Sequence, residues 1–243
     1  MRELVRKGKQ VRMVNRRGKA PLPAGVQVLK GDTYDPASVR HAARGAAVAY
    51  QCARPQYNEW VTLLPKMQSA IIDNVTTRGA KLVVTENLYM YRRAAGPMTE
   101  DLPYNADTRK GQTRARMAEQ VMEANRSGKL RTTGGPASDF YVPFAHRGST
   151  GERAFYPAIE GRRVDVLGKL DVPSTFTYVN DIGLVTLGAD DQALGTAWHV
   201  LSAPPFTQRQ ITTHIPGSRH ETSHGGNATC PWQSPGDVQP SRA

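Results

Sequence analysis

The order of its apolar segments constrains this chain more than any other feature. VRMVN (Val11–Asn15), VQVLK (Val26–Lys30), AAVAYQ (Ala46–Gln51) and KLVVT (Lys81–Thr85) are short, rich in β-branched residues and bounded by turn formers, which predicts strands. Segments of helical period lie between them. Asp35-Pro36 supplies an N-cap and a first-turn proline for a helix that passes Val39 and Ala43 and stops at Gly45. Trp60, Leu63, Leu64, Met67, Ile71 and Val75 recur at three- and four-residue steps, predicting a helix over Glu59–Arg78 with Pro65 as a local bend and Gly79 as its stop. A basic helix over Arg109–Ser127 and a strand at Leu130–Thr133 follow. Apolar strands, succeeded by helices from the second onward, predict an α/β fold built on a doubly wound parallel sheet.

Ligands of such sheets lie beyond the carboxyl ends of the strands. The positions to weigh are therefore Asn15-Arg16-Arg17, Asp32-Thr33, Cys52-Ala53-Arg54, Thr85-Glu86-Asn87 and Ala137-Ser138. The polar stretch from Glu86 to Thr108 is too long for a plain connection and is a candidate site loop. From Glu152 to about Arg209 the pattern loosens into short strands and one helix opened by Asp181, the mark of a small α+β lobe. Residues 210–243 carry three of the six histidines, much Ser, Thr, Pro and Gly, and no periodic apolar face, which predicts a disordered or non-native tail. The expected organisation is thus residues 1–150, 151–209 and 210–243. His214, His220 and His224 lack ligand spacing, so no metal site is expected.

A net charge of +11 raises nucleic acid as a partner, and its distribution argues against one. Residues 1–20 hold eight Lys/Arg against Glu3 alone, and residues 109–131 hold seven against Glu119 and Glu123. Neither stretch interleaves aromatic residues with the basic ones, as a base-stacking platform requires. The two cysteines, Cys52 and Cys230, form no CxxC pair and suit a reducing, cytoplasmic setting. No apolar run approaches the ~18 residues of a membrane span.

Five segments in order resemble the NAD(P)-dependent epimerase/dehydratase family, the extended short-chain dehydrogenases/reductases. They are GDTYD (Gly31–Asp35), VAYQCA (Val48–Ala53), VVTENLYMY (Val83–Tyr91), ASDFYVP (Ala137–Pro143) and YVNDI (Tyr178–Ile182), and the resemblance covers about residues 1–209. It implies a Rossmann-like domain, a nicotinamide cofactor, and carbonyl/hydroxyl chemistry on a small substrate, often a sugar nucleotide. It also implies a first strand and a glycine-rich phosphate loop. No GxxGxxG or GxGxxG occurs in the sequence, and MRELVRK reads as the last turns of a helix stopped at Gly8. A sheet lacking its first strand and impaired cofactor binding are therefore expected.

By the same resemblance, Asn15, Arg16, Arg17, Asp32, Thr33, Cys52, Ala53 and Arg54 fall along the cofactor groove. No acid occurs in Gln10–Lys19, and Arg16 and Arg17 suit a 2′-phosphate, which favours NADP over NAD; the plainer reading is an exposed basic turn. The family's catalytic Tyr-x-x-x-Lys is absent, and Lys110 and Arg114 stand in its place, with Glu119 following. The family's serine falls near Thr85 or Asn87. These four are the catalytic candidates, although a solvated helix face is the simpler reading of the basic pair. Tyr89, Tyr91 and Ser138 are candidate substrate contacts. The resemblance also implies a homodimer, with the Glu59–Arg78 helix as the candidate face. A non-catalytic, NADP-sensing protein on the same fold is the alternative.

Overall fold

The computed structural model describes residues 1–75, 79–92, 96–141, 154, 156–164, 169–178, 183–200, 202 and 204–214. A short helix α1 (Arg2–Arg6) leads into β1 (Val11–Asn15), which pairs in parallel with β2 (Val26–Lys30) from Val11 opposite Val26 to Asn15 opposite Lys30. The turn after β1 is organised by Asn15, whose Oδ1 accepts from the amides of Arg17 and Gly18 at 2.9 and 2.8 Å. Gly18 takes a φ of 66°, and a Cβ there would lie 2.9 Å from Lys30 Cβ, so the turn requires glycine on both counts.

Helix α2 (Pro36–Ala43) starts as its sequence predicts: Asp35 accepts from the Ala37 amide at 2.9 Å with proline at the first position. Next come β3 (Val48–Gln51), a 3-10 turn at Tyr57–Glu59, α3 (Trp60–Val75), β4 (Lys81–Asn87), a second 3-10 turn at Leu88–Met90, α4 (Arg109–Arg126) and β5 (Arg131–Ala137). These strands form a sheet in the order β3-β4-β5, with β3 parallel to β4 from Val48–Lys81 to Gln51–Val84.

The core sits where α2, α3 and α4 meet β4. Val39 and Ala43, Met67, Ile71, Ile72 and Val75, Leu82 and Val84, and Val121 and Ala124 form one buried cluster. Burial at this scale contributes about 1.5–3 kcal/mol per large aliphatic side chain and dominates the stability of the unit. Between α3 and α4, Gln68 is fully buried and its Nε2 donates to the Met117 carbonyl at 2.8 Å, fixing the register of the two helices.

The α/β architecture with parallel strands is as expected, and the division of the sheet into two ladders, β1–β2 and β3–β4–β5, accords with the expected lack of a first strand; β1–β2 contributes no buried residue. Other details differ. Strand β4 continues two residues past Thr85, because Leu82, Val84 and Glu86 keep the alternation that buries one face. The expected site loop accordingly begins after Asn87. β5 begins at Arg131 and runs to Ala137, beyond the expected Thr133.

The chain divides into two compact units, one of residues 1–136 and 182–199, the other of 137–181 and 200–243. The first unit includes α6 (Gly183–Ala189), which packs on β4. Its Gly188 lies so close under Tyr50 that a Cβ would meet Tyr50 Oη at 2.1 Å. Beyond it, Asp191 joins Lys81 and Arg131, the latter at 2.7 Å. In the second unit β6 (Asp139–Tyr141) pairs in parallel with β7 (Phe176–Tyr178). That unit also holds α5 (Tyr156–Ile159) and α7 (Gln208–His214), where Arg209 grips Asp171 through two bonds of 2.6 and 2.9 Å. Helix α7 carries regular structure five residues past the expected boundary at Arg209. Asp181, His220, His224 and Cys230 lie outside the described residues. Among the described residues no helix is long and apolar enough to cross a membrane, and no group of three or more His, Cys, Asp or Glu could hold a metal.

Candidate functional site

The carboxyl ends of β3 and β4 lie side by side. Cys52 Sγ is 3.4 Å from Thr85 Oγ1, so the two expected groove and site residues are in contact. Asn87 ends β4 with its side chain engaged, its Oδ1 accepting from the Tyr89 amide at 3.2 Å. Ala53 and Arg54 follow Cys52 and are exposed.

Against these ends stands the first part of α4, capped by Thr108, whose Oγ1 accepts from the Gly111 amide at 3.1 Å. Lys110 and Arg114 are 7% and 6% exposed, so the basic pair is not a solvated helix face. Lys110 Nζ lies 4.3 Å from the centroid of Tyr57, and Arg114 lies 5.8 Å from that of Trp60. Arg54 approaches the same Trp60 ring at 5.9 Å. Tyr57 and Trp60 are themselves 4.8 Å apart, and Tyr89 stands 6.0 Å from Trp60. Gly111, between the two basic residues, leaves no room for a side chain: a Cβ would meet Ala106 Cβ at 2.5 Å and the Tyr89 carbonyl oxygen at 2.6 Å.

Glu86 completes the cluster. It is 2% exposed, and among the described residues neither carboxylate oxygen has a hydrogen-bond partner. Burial pushes its carboxyl up to about 7, with the nearby Arg114 charge pulling the other way. Burial likewise pushes the Arg114 guanidinium down; Glu86 opposes that and the like charge of Arg54 adds to it. Arg114 Nε is also buried, without a partner among the described residues. Sequence reading places Glu86 at a strand end but gives it no role. The signal was the two-residue period running through Leu82 and Val84, which points Glu86 inward.

The remaining candidates fall into separate groups. Tyr91 turns from the Trp60 cluster to a hydrogen bond of 2.9 Å with His199 Nε2 and an edge contact with Tyr104 at 5.4 Å. Burial pushes the His199 imidazole down, while Glu100 and the Met98 carbonyl oppose. At the ends of β1 and β2, Arg16 and Arg17 are exposed, and Asp32 and Thr33 are half-buried. Asp32 Oδ1 accepts from the Tyr34 amide at 3.0 Å, and the Asp32 amide donates to Ser38 Oγ at 2.9 Å. Burial raises the Tyr34 phenol, with Glu59 and Asp32 adding and Arg16 opposing, so the end of β2 and the start of α3 share one electrostatic neighbourhood. Ser138 belongs to the second unit, where its amide donates to Thr177 Oγ1 at 3.1 Å and its Oγ donates to the Thr175 carbonyl.

No family model and no curated protein matches the sequence. Solved structures do match the fold. An epimerase from the methanogen Methanothermobacter thermautotrophicus superposes with a TM-score of 0.74 at 15% identity, over 88% of this chain and 70% of that one. The UDP-glucuronic acid 4-epimerase of Bacillus cereus, in complex with NAD, gives 0.73 at 14% identity, over 88% and 77%. The UDP-glucose 4-epimerase of Thermus thermophilus, also in complex with NAD, gives 0.70 at 14% identity, over 88% and 76%. The chain shares the Rossmann-like fold of these epimerases.

Proposed function

We propose that this chain is an NAD(P)-dependent reductase or epimerase/dehydratase, cytoplasmic and homodimeric through α3, acting on a small carbonyl or hydroxyl compound. The observation that supports it is the contact of Cys52 with Thr85 at the ends of two parallel strands, next to Glu86, whose charge interacts with the buried Arg114 of α4. The adenosine end of a dinucleotide fits the first ladder: Arg16 and Arg17 are exposed for a 2′-phosphate, Asn15 shapes their turn, and Asp32 and Thr33 flank the adenine. Cys52, Ala53 and Arg54 line the next stretch. The pyrophosphate has no glycine-rich turn in this sequence to rest on, so affinity is weak. The cofactor, when bound, supplies hydride chemistry. Lys110 and Arg114 hold the substrate oxygen, Thr85 and Asn87 orient it by hydrogen bonds, and Tyr89 covers it; Tyr91 and Ser138 are outer substrate contacts.

The absence of Tyr-x-x-x-Lys supports a second reading, an NADP sensor that does no chemistry. A fluorescence titration separates the cases. NADPH is expected to bind more tightly than NADH, and Arg16→Gln with Arg17→Gln to remove roughly a tenfold preference. No saturable change at millimolar NADPH overturns cofactor binding, whereas binding without turnover of any carbonyl or sugar-nucleotide substrate favours the sensor.

A further inference from the structure

Three cations gather around Trp60 and Tyr57. Arg54 and Arg114 approach one indole ring from 5.9 and 5.8 Å, and Lys110 lies 4.3 Å over the adjoining Tyr57. Like charges gathered this closely repel, and Arg54 acts on Arg114 in that sense. The acid nearest Arg114 is Glu86, yet among the described residues no ion pair joins the two. Arg114 is almost fully buried, and its Nε still lacks an acceptor. A buried guanidinium nitrogen without an acceptor is expensive to maintain, and an oxyanion accepting from the group offsets the penalty. The 18-residue helix α4 also directs the positive end of its dipole toward its first turn, where Lys110 lies.

We propose that Arg54, Lys110 and Arg114 form an oxyanion site, and that the substrate is an acid bearing a carboxylate or phosphate beside its reacting carbon. The inference rests on the redox reading above for that reacting carbon alone. A neutral sugar ring offers hydroxyls, which amides, hydroxyls and carboxylates satisfy. The guanidinium groups of Arg54 and Arg114 suit instead a planar or tetrahedral anion, and arginine pairs with either through two parallel hydrogen bonds. Tyr57 and Trp60 hold the cations in place through their ring faces while the anion is absent.

The test uses the full chain with inorganic phosphate and malonate as probes, read by tryptophan fluorescence and thermal shift against chloride at matched ionic strength. Saturable binding is expected, weakened roughly tenfold or more in Arg54→Gln and in Arg114→Gln. Arg54 is exposed, so its variant carries the test if Arg114→Gln does not fold. Tighter malonate identifies a carboxylate substrate, and tighter phosphate identifies a phosphate ester. An equal response to chloride, or equal binding by Arg54→Gln, overturns the site. NADPH binding without probe binding sinks this inference and leaves the cofactor reading standing. Probe binding without NADPH binding does the reverse.

Discussion

Replacing Glu86 with glutamine is expected to stabilise the protein at pH 8 and to leave it unchanged near pH 4. Glutamine keeps the shape of the side chain and cannot ionise. In the folded chain burial raises the carboxyl from its ordinary 4.5 to about 7, so between those values the native state keeps a proton that the unfolded chain has released. Raising the pH through this window therefore favours unfolding. The stability associated with the neutral acid is complete below 4.5 and lost by the time the pH passes 7. A displacement of that size corresponds to about 3 kcal/mol, and the glutamine variant should recover most of it at pH 8. For a chain of this size that is a rise in melting temperature of roughly 6–12 °C. Melting curves at pH 4, 6 and 8 decide the matter. A variant that melts lower at pH 8 would mean that the attraction of Arg114 for the ionised Glu86 outweighs the cost of its burial.

Gly111→Ala tests whether the start of α4 has room to spare. Helix propensity alone favours alanine by about 1 kcal/mol. Against it stand contacts at 2.5 Å to Ala106 Cβ, 2.6 Å to the Tyr89 carbonyl oxygen and 2.9 Å to Thr108 Oγ1, two of them to backbone or short side chains that cannot swing away. Overpacking of this kind costs about 1–3 kcal/mol, and relieving it moves the turn that carries Lys110. The expected result is a lower urea midpoint together with weaker phosphate binding. An unchanged or higher midpoint would show that the segment before α4 yields freely.

Much of the framework was legible because hydrophobic period and turn chemistry act locally. Asp35-Pro36, the stripe from Trp60 to Val75 and the Lys81 strand all emerged where their patterns place them. The site was legible only in part. Lys110 and Arg114 were found through resemblance, but their burial depends on Tyr57 and Trp60, which the sequence presents as an ordinary helix start. Glu86 was assigned no role because a charged residue is a natural strand end, and only the packing around β4 turns it into a buried acid. The break between the two ladders accords with the expected sheet lacking its first strand, an expectation that came from the resemblance and not from any local pattern.

That break has a thermodynamic corollary. Leu82, Val83 and Val84 are 0% exposed and can exchange their amide hydrogens only when the whole first unit opens. Val11–Asn15 and Val26–Lys30 are held by a two-stranded ladder that buries none of its side chains, and such a ladder can part from its surroundings without disturbing them. Hydrogen–deuterium exchange should therefore show β1 and β2 labelling through a local opening while β4 stays protected. Trypsin should find Arg16 and Arg17 in that transient form and nick the chain there, leaving the remaining ladder folded and the cut ends still attached.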